Sequence, residues 1–90
     1  MLRITTEDSA ESAGIKLEGK LAGAWVHEVE IAWRAMKEKN AQKPITIDLF
    51  DVTFIDAEGK KLLKRMSKEG ADFRCCGPDI SATIAEILKR

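Results

Sequence analysis

The sequence has few of the residues that most often carry metal or thiol chemistry. Its 90 residues include one histidine and two cysteines. Cys75 and Cys76 are adjacent, and a disulfide between neighbours would require a strained eight-membered ring. A zinc site would need more ligands than these thiols and His27 supply. We therefore predict no metal ion or cofactor, and we interpret the cysteines as side chains on opposite faces of a buried strand.

An excess of charge of either sign is also missing. Fifteen basic residues balance fifteen acidic ones, so the chain as a whole is not expected to bind nucleic acid. The apolar runs are only a few residues long, which predicts no membrane insertion. The first eight residues include acidic side chains and no apolar signal region, and this favours a cytoplasmic location over secretion.

The chain nevertheless has enough apolar sequence for one small core. Hydrophobic residues make up 44% of the sequence and charged residues 33%, which predicts a single domain over residues 1–90. Alternating apolar positions predict strands at residues 2–5, 15–18, 45–49 and 71–76. Helical periodicity predicts helices from Leu21 to about Lys39, after Asp56, and after a cap at Asp79 or Ser81. The expected fold class is α/β, a small mixed β-sheet in the order ββαβαβα with helices packed on it.

The first predicted helix carries both tryptophans. Trp25 and Trp33 fall in one apolar arc, which could provide a ligand platform but more commonly packs in the core. Ile31 falls nearly opposite this arc, where it could belong to a contact patch. His27 lies near the edge of the arc, and we interpret it as a structural residue.

Residues 45–63 contain the densest local pattern. An alternating strand from Ile45 leads to a polar corner at Asp51, followed by apolar residues expected to be buried, namely Val52, Phe54 and Ile55. Asp56 then stands where the N-cap of a helix is expected, and Glu58 adds negative charge to the first turn. The apolar stripe of this helix consists of Gly59, Leu62, Leu63 and Met66, and Gly70 is placed to terminate it.

This stretch resembles the signature of the STAS domain family, the fold of the anti-sigma-factor antagonists. The matching residues are Asp48 and Leu49 at the strand end, Val52 to Asp56 in the corner, and Gly59 in the helix. Residues 15–21 are similar to the second strand of the family, and residues 76–78 suit the segment after its last major strand. The resemblance covers most of residues 2–89 and implies the STAS fold.

One position departs from the family pattern. The residue after the signature aspartate is usually a serine or threonine that a partner kinase phosphorylates. Here it is Ala57, which has no hydroxyl, and Glu58 follows it. The usual phosphorylation switch is therefore absent from its usual place. Thr53, Ser67 and Ser81 are other hydroxyls, although turn or capping roles explain them more simply.

Clustered acidic residues in the same stretch raise the alternative of an enzymatic function. The carboxylates of Asp48, Asp51, Asp56 and Glu58 could in principle hold magnesium or share acid and base roles. Asp56 is explained by capping and Asp51 by a turn, and the sequence has no glycine-rich phosphate loop or nucleophile elbow. We predict no catalytic residues. Binding of a nucleotide or small anion at the helix front has some family precedent but no phosphate-loop sequence in this chain.

The second predicted helix has a concentrated positive charge. Five cations occur within nine residues, Lys60, Lys61, Lys64, Arg65 and Lys68, opposite the apolar stripe. A solvated face partly paired with Glu58 and Glu69 is the simpler interpretation. Our functional hypothesis is that the face docks an acidic surface of a partner.

The resemblance implies a non-catalytic domain that binds an anti-sigma factor or a serine kinase. The expected partner-binding residues are Asp51, Thr53, Asp56, Ala57, Glu58, Gly59, Lys60, Lys61, Lys64 and Trp25. The alternative is a structural or adaptor subunit of a transporter or signalling scaffold. The family usually continues with another strand and helix, so the sequence also suggests an uncovered sheet edge and a possible homodimer.

Overall fold

The computed structural model describes residues 2–41, 43–74 and 78–88. The strands are β1 (Leu2–Asp8), β2 (Ala13–Leu21), β3 (Ile45–Ile55) and β4 (Asp72–Arg74), and the helices are α1 (Ala24–Lys39), α2 (Ala57–Lys68) and α3 (Pro78–Leu88). The predicted α/β class and the order ββαβαβα are confirmed. No helix in the described ranges is long and apolar enough to cross a bilayer.

The four strands form one mixed sheet in the order β1-β2-β3-β4. β1 and β2 are antiparallel, as a short connection between neighbouring strands predicts, whereas β3 is parallel to β2 and β4 is parallel to β3. The connection between β1 and β2 is shorter than the gap between the predicted strands at residues 2–5 and 15–18. The two strands extend to Asp8 and from Ala13, and a turn from Ser9 to Ser12 joins them, with a backbone hydrogen bond of 2.8 Å.

The helices cover one face of the sheet. The inward positions of β2 and β3 are almost fully buried, and they pack with the apolar stripes of the helices in a single cluster. Between them, outward positions such as Lys16 and Asp48 are only half-buried. The strands therefore show the alternation of a sheet that is apolar on one side and polar on the other.

β3 is longer than predicted because two irregularities keep it paired with β2. The register with β2 shifts between Lys16 and Glu18 and again between Gly19 and Lys20. Each shift accommodates an extra residue of β3, as a β-bulge does. The prediction of a corner at Asp51 was wrong, since Asp51 lies within the strand opposite Glu18.

The beginning of α1 also differs from the prediction. Leu21 is the last residue of β2, fully buried and paired with Ile55, so the helix begins at Ala24 and not at Leu21. Gly23 precedes it with φ of 61°, in the left-handed region that favours glycine. This conformation turns the chain sharply from the sheet into the helix.

The later element boundaries agree in part with the sequence. α2 ends at Lys68, and Gly70 follows with φ of 101°. The amides of Gly70 and Ala71 donate to the carbonyls of Ser67 and Met66, as in a Schellman motif. In contrast, α3 already begins at Pro78, and proline is well suited to the first position of a helix. Asp79 and Ser81 therefore lie inside the helix, so the prediction that one of them is its N-cap was wrong.

The last strand was predicted over residues 71–76. In the described part of that range, β4 spans Asp72–Arg74, so it begins one residue later than predicted. Cys75 and Cys76, predicted to lie on opposite faces of a strand, are outside the described residues. As the neighbour of β3, β4 occupies one edge of the sheet.

Candidate functional site

The candidate site is built around the carboxylate of Asp56, which lies between β3 and α2. Its Oδ1 accepts a hydrogen bond of 2.7 Å from the amide of Gly59. This is the N-cap interaction predicted from the sequence, because the first amides of a helix have no partner within the helix. Glu58 follows in the first turn and adds negative charge at the positive end of the helix dipole.

The second oxygen of Asp56 reaches a different segment of the chain. Oδ2 accepts a hydrogen bond of 2.9 Å from the amide of Gly23, in the connection between β2 and α1. The amide of Asp56 also donates to the carbonyl of Leu21, at 3.1 Å. The front of α2 and the loop before α1 are therefore fixed to each other. This cross-link is not evident from the sequence, since one capping pattern does not reveal a second acceptor.

These hydrogen bonds also affect the ionisation of Asp56. Donation from the amide of Gly23, and then from that of Gly59, lowers the pKa of the Asp56 carboxyl. Both donors favour the charged carboxylate, which accepts hydrogen bonds better than the neutral acid. The site therefore holds a fixed negative charge whose two oxygens are both occupied by backbone donors.

Gly59 allows α2 to lie close to β2 and β3. A Cβ atom at this position would come within 2.9 Å of both the Leu21 carbonyl oxygen and Cγ2 of Ile55. Contacts this short require movement of the backbone or of the buried Ile55 side chain. Glycine at the third position of α2 is thus explained by close packing, and the Gly59 amide is available to the Asp56 cap.

The residues that follow Asp56 face solvent. Ala57, Glu58, Lys60 and Lys61 are all exposed, and Lys64 continues this exposed surface one turn further. Only one ion pair links them, between Glu58 and Lys61 at 3.7 Å, within the described residues. The structure therefore brings Asp56, its neighbours in α2 and the Gly23 loop together at one exposed surface.

Two aromatic side chains close in sequence to Gly23 and Asp56 are more exposed than core residues. Trp25, in the first turn of α1, is 37% exposed, whereas Trp33 packs in the core as predicted. The prediction that Phe54 is buried was wrong, because its side chain is 51% exposed. Phe54 is paired with Lys20 just after the second register shift, which places it on the side of β3 away from the helices.

Asp51 and Thr53 lie outside the Asp56 hydrogen-bond network. Asp51 forms a long ion pair with Lys16, at 3.9 Å, on the exposed side of the sheet. The hydroxyl of Thr53 donates to the carbonyl of Gly19, at 3.3 Å, where β3 carries an extra residue. Both side chains are exposed, and their contacts join β3 to β2 where the strand pairing is irregular.

The cations of α2 are paired only in part. Arg65 binds Glu30 of α1 at 3.2 Å, and Glu30 also binds Arg34 at 3.0 Å. Glu69 was expected to pair with cations of α2. Its carboxylate instead accepts a hydrogen bond of 2.8 Å from Nε1 of Trp33 and lies 3.7 Å from Nζ of Lys37 in α1. The negative charge at the end of α2 is therefore directed towards α1.

His27 differs from its predicted structural role. Its side chain is 74% exposed, and Nδ1 lies 3.9 Å from a carboxylate oxygen of Glu30. Within the described residues, no group of three histidine, cysteine, aspartate or glutamate side chains is arranged to hold a metal ion. The arrangement around Asp56 presents a shaped and charged surface, with its central carboxylate engaged by backbone amides.

No protein-family model and no curated protein sequence matches this chain. Among solved structures, the chain is similar to one described as Mglu, with a TM-score of 0.63 and 18% identity over 83% of this chain. It spans only 19% of the length of that protein.

Two further structures resemble the chain over most of their own length. One is the anti-sigma factor antagonist SpoIIAA in its unphosphorylated form, with a TM-score of 0.61 and 16% identity over 98% of this chain and 100% of that one. The other is an antisigma-factor antagonist STAS domain from Rhodobacter sphaeroides, with a TM-score of 0.55 and 23% identity over 84% of this chain and 86% of that one. The chain thus has a STAS-like fold.

Proposed function

We propose that this chain is a non-catalytic regulatory domain that binds a protein partner through the surface around Asp56. The observation that carries the proposal is that the Asp56 carboxylate accepts two hydrogen bonds, one from the amide of Gly23 and one from the amide of Gly59. It fixes two separate backbone segments at one exposed surface before any partner arrives. A preorganised surface loses less conformational entropy on binding, which favours recognition of a protein.

In this proposal the residues have different roles. Asp56 and Gly59 fix the backbone, whereas Trp25 and the exposed residues of α2 contact the partner. The proposed contact residues of α2 are Ala57, Glu58, Lys60, Lys61 and Lys64. Asp51 and Thr53 extend the surface along β3. Trp25 and Phe54 contribute exposed aromatic area, and aromatic side chains are enriched among the residues that dominate protein interfaces.

The proposed mechanism lacks control by phosphorylation at the front of α2. A phosphate there would add about 1.5 to 2 negative charges beside the Asp56 carboxylate. Ala57 cannot accept a phosphoryl group, and the nearby hydroxyl of Thr53 is engaged with the Gly19 carbonyl. Glu58 carries a permanent charge, but its carboxylate has fewer acceptor oxygens than a phosphate and starts one residue further along. Binding is therefore constitutive in this proposal.

The partner class that the fold suggests is an anti-sigma factor or a related serine kinase. Tagged wild-type protein and Ala57→Arg are used as baits in a lysate of the source cells, with Ala35→Arg as the matched control. Ala35 is an exposed alanine on α1, so both substitutions add the same bulk and charge to a helix surface. We expect wild type and the Ala35 variant to retain the same protein and Ala57→Arg to lose it.

A second bait, Ala57→Ser, tests which class of partner is bound. With an anti-sigma factor that is a serine kinase as the partner, Ala57→Ser becomes phosphorylated in the presence of ATP and releases that partner, while wild type remains bound. Retention of a transporter or scaffold component without phosphorylation of the serine variant would instead identify an adaptor subunit. Equal retention by wild type and Ala57→Arg would contradict the proposed surface, provided that both proteins show cooperative unfolding.

A further inference from the structure

A row of lysines runs along α2 on the side opposite its buried residues. Lys61, Lys64 and Lys68 are separated by three and four residues, so their side chains follow one line on the helix surface. All three are exposed, and with Glu58 and Arg65 they line a shallow groove. Ala57 precedes Lys61 by four residues and lies at the N-terminal end of the same line. We refer to Lys61, Lys64 and Lys68 as the lysine row.

Nearby carboxylates neutralise this row incompletely. Glu58 pairs with Lys61, and Glu30 is shared between Arg65 and Arg34. In the part of the chain that the structure describes, no carboxylate forms an ion pair with Lys64 or Lys68. Like charges at these spacings repel one another along a helix. An anionic ligand along the row would relieve that repulsion, and its negative charges would match the row.

The composition of α2 favours an acidic protein segment over a lipid surface. Helices that lie on membranes combine cations with large apolar side chains that enter the acyl region. Here Leu62, Leu63 and Met66 are buried in the core at 0–2% exposure, and the exposed surface of α2 carries no large apolar side chain. An acidic helix, in contrast, can present carboxylates at the same spacings of three and four residues.

We propose that the lysine row binds an acidic helical segment of the protein partner, aligned along α2 from Ala57 towards Lys68. This inference rests on the proposed function and adds the chemistry of the partner to it. Exposed ion pairs are individually weak and are screened by salt. The row therefore contributes selectivity and association rate, while the surface around Asp56 supplies the buried contact area.

The test uses the full chain and a synthetic helical peptide with three glutamates separated by three and four residues. The same peptide with glutamine at those positions is the control ligand. Affinity is measured by fluorescence anisotropy of the labelled peptide at low and physiological salt. We expect the glutamate peptide to bind, the glutamine peptide not to bind, and Lys64→Gln/Lys68→Gln to weaken binding roughly 3- to 10-fold.

A matched protein control removes the same charge elsewhere. Arg3 and Arg74 are exposed on strands of the sheet, and Arg3→Gln/Arg74→Gln is expected to bind the peptide like wild type. Vesicles of phosphatidylcholine with and without phosphatidylglycerol form the other arm. Sedimentation with the anionic vesicles and no binding of the glutamate peptide would overturn the inference in favour of a lipid surface.

Capture of the natural partner by the same variants distinguishes failure of this inference from failure of the proposed function. Loss of the captured protein by Ala57→Arg, combined with unchanged affinity for Lys64→Gln/Lys68→Gln, would overturn the role of the row and leave the Asp56 surface supported. Weakened capture by the lysine variant, but not by Arg3→Gln/Arg74→Gln, would support the row. Binding of both peptides with equal affinity would overturn it, because recognition would then be independent of the glutamates.

Discussion

The amide of Gly23 donates a hydrogen bond of 2.9 Å to Oδ2 of Asp56, joining positions that are 33 residues apart in the sequence. The other oxygen of the same carboxylate caps α2. A single side chain thus sets both the start of one helix and the position of the loop before another. In a domain of this size, such a bridge couples local stability to the shape of the exposed surface around it.

The first prediction concerns the two acceptor oxygens of Asp56. Asp56→Asn retains one acceptor and replaces the other by an amide donor, so it can keep only one of the two bonds. Asp56→Ala removes both. We expect stability in urea to decrease in the order wild type, Asn variant, Ala variant, with unchanged m-values. Faster hydrogen exchange at the Gly23 and Gly59 amides should accompany the loss. Equal stability of the two variants would contradict a role for both oxygens.

The second prediction is a dependence of stability on pH. Hydrogen bonds from Gly23 and Gly59 lower the pKa of Asp56 in the folded protein below its ordinary value of 3.8. The resulting stabilisation is fully present above that value and is lost as the pH falls through the folded pKa. Asp56→Asn should therefore be less stable than wild type at pH 6, and the difference should shrink below pH 3.8. Denaturant titrations across this range test it.

Asp8 provides an internal comparison for the acid titration. A hydrogen bond from Lys43 is the main cause that lowers the pKa of Asp8, so this group also stabilises the fold above its ordinary pKa. Asp8→Asn should reduce the loss of unfolding free energy as the pH falls, without altering hydrogen exchange at the Gly23 amide. A change in Gly23 exchange for Asp8→Asn would show that the effect is not specific to Asp56.

The third prediction concerns Gly59, where helix propensity and packing oppose each other. Alanine is favoured over glycine in a helix interior by about 1 kcal/mol. At Gly59, however, the new Cβ would approach the Leu21 carbonyl oxygen and Ile55 Cγ2 at 2.9 Å. We expect Gly59→Ala to lower the free energy of unfolding by about 1–3 kcal/mol, the usual cost of overpacking. Ser67→Ala, in the same helix, is the propensity control, and a stabilised Gly59→Ala would contradict the close packing.

The element order and the N-cap could be predicted because they rest on local signals. The alternation at Ile45 and Ile47, the short carboxylate of Asp56 and the stripe through Leu62 and Met66 each specify structure within a few residues. Gly70 likewise marks the end of α2 from its own conformational freedom. The agreement reflects several independent local preferences that favour the same fold.

The errors arise where distant segments decide the outcome. Phe54 follows Val52 by two residues and so shares its predicted inward side, but the second register shift with β2 changes the alternation. Leu21 fits a helical stripe, yet pairing with Ile55 holds it in β2. The bond from Gly23 to Asp56 has no local signature either. Pairing register and long-range hydrogen bonds depend on the assembled sheet, which short sequence windows do not contain.

The last prediction uses the different environments of the two tryptophans. Trp33 is 3% exposed and its Nε1 donates to Glu69 at 2.8 Å, whereas Trp25 is 37% exposed beside the Gly23 loop. Trp33→Phe should therefore lower the free energy of unfolding by about 1–3 kcal/mol, and Trp25→Phe by less than about 0.5 kcal/mol. Fluorescence of the Trp33→Phe variant should be quenched more strongly by acrylamide, because only the exposed tryptophan remains.

Truncation of Trp25 distinguishes a role of this side chain in binding from a role in stability. Trp25→Ala should retain cooperative unfolding but lose much of the captured partner, since an exposed aromatic side chain beside a fixed loop contributes more to an interface than to the core. The control is Ile31→Ala, which truncates a side chain that is 51% exposed further along α1. Loss of the partner by both variants would place the contact along α1 as a whole, and loss by neither would remove Trp25 from the binding surface.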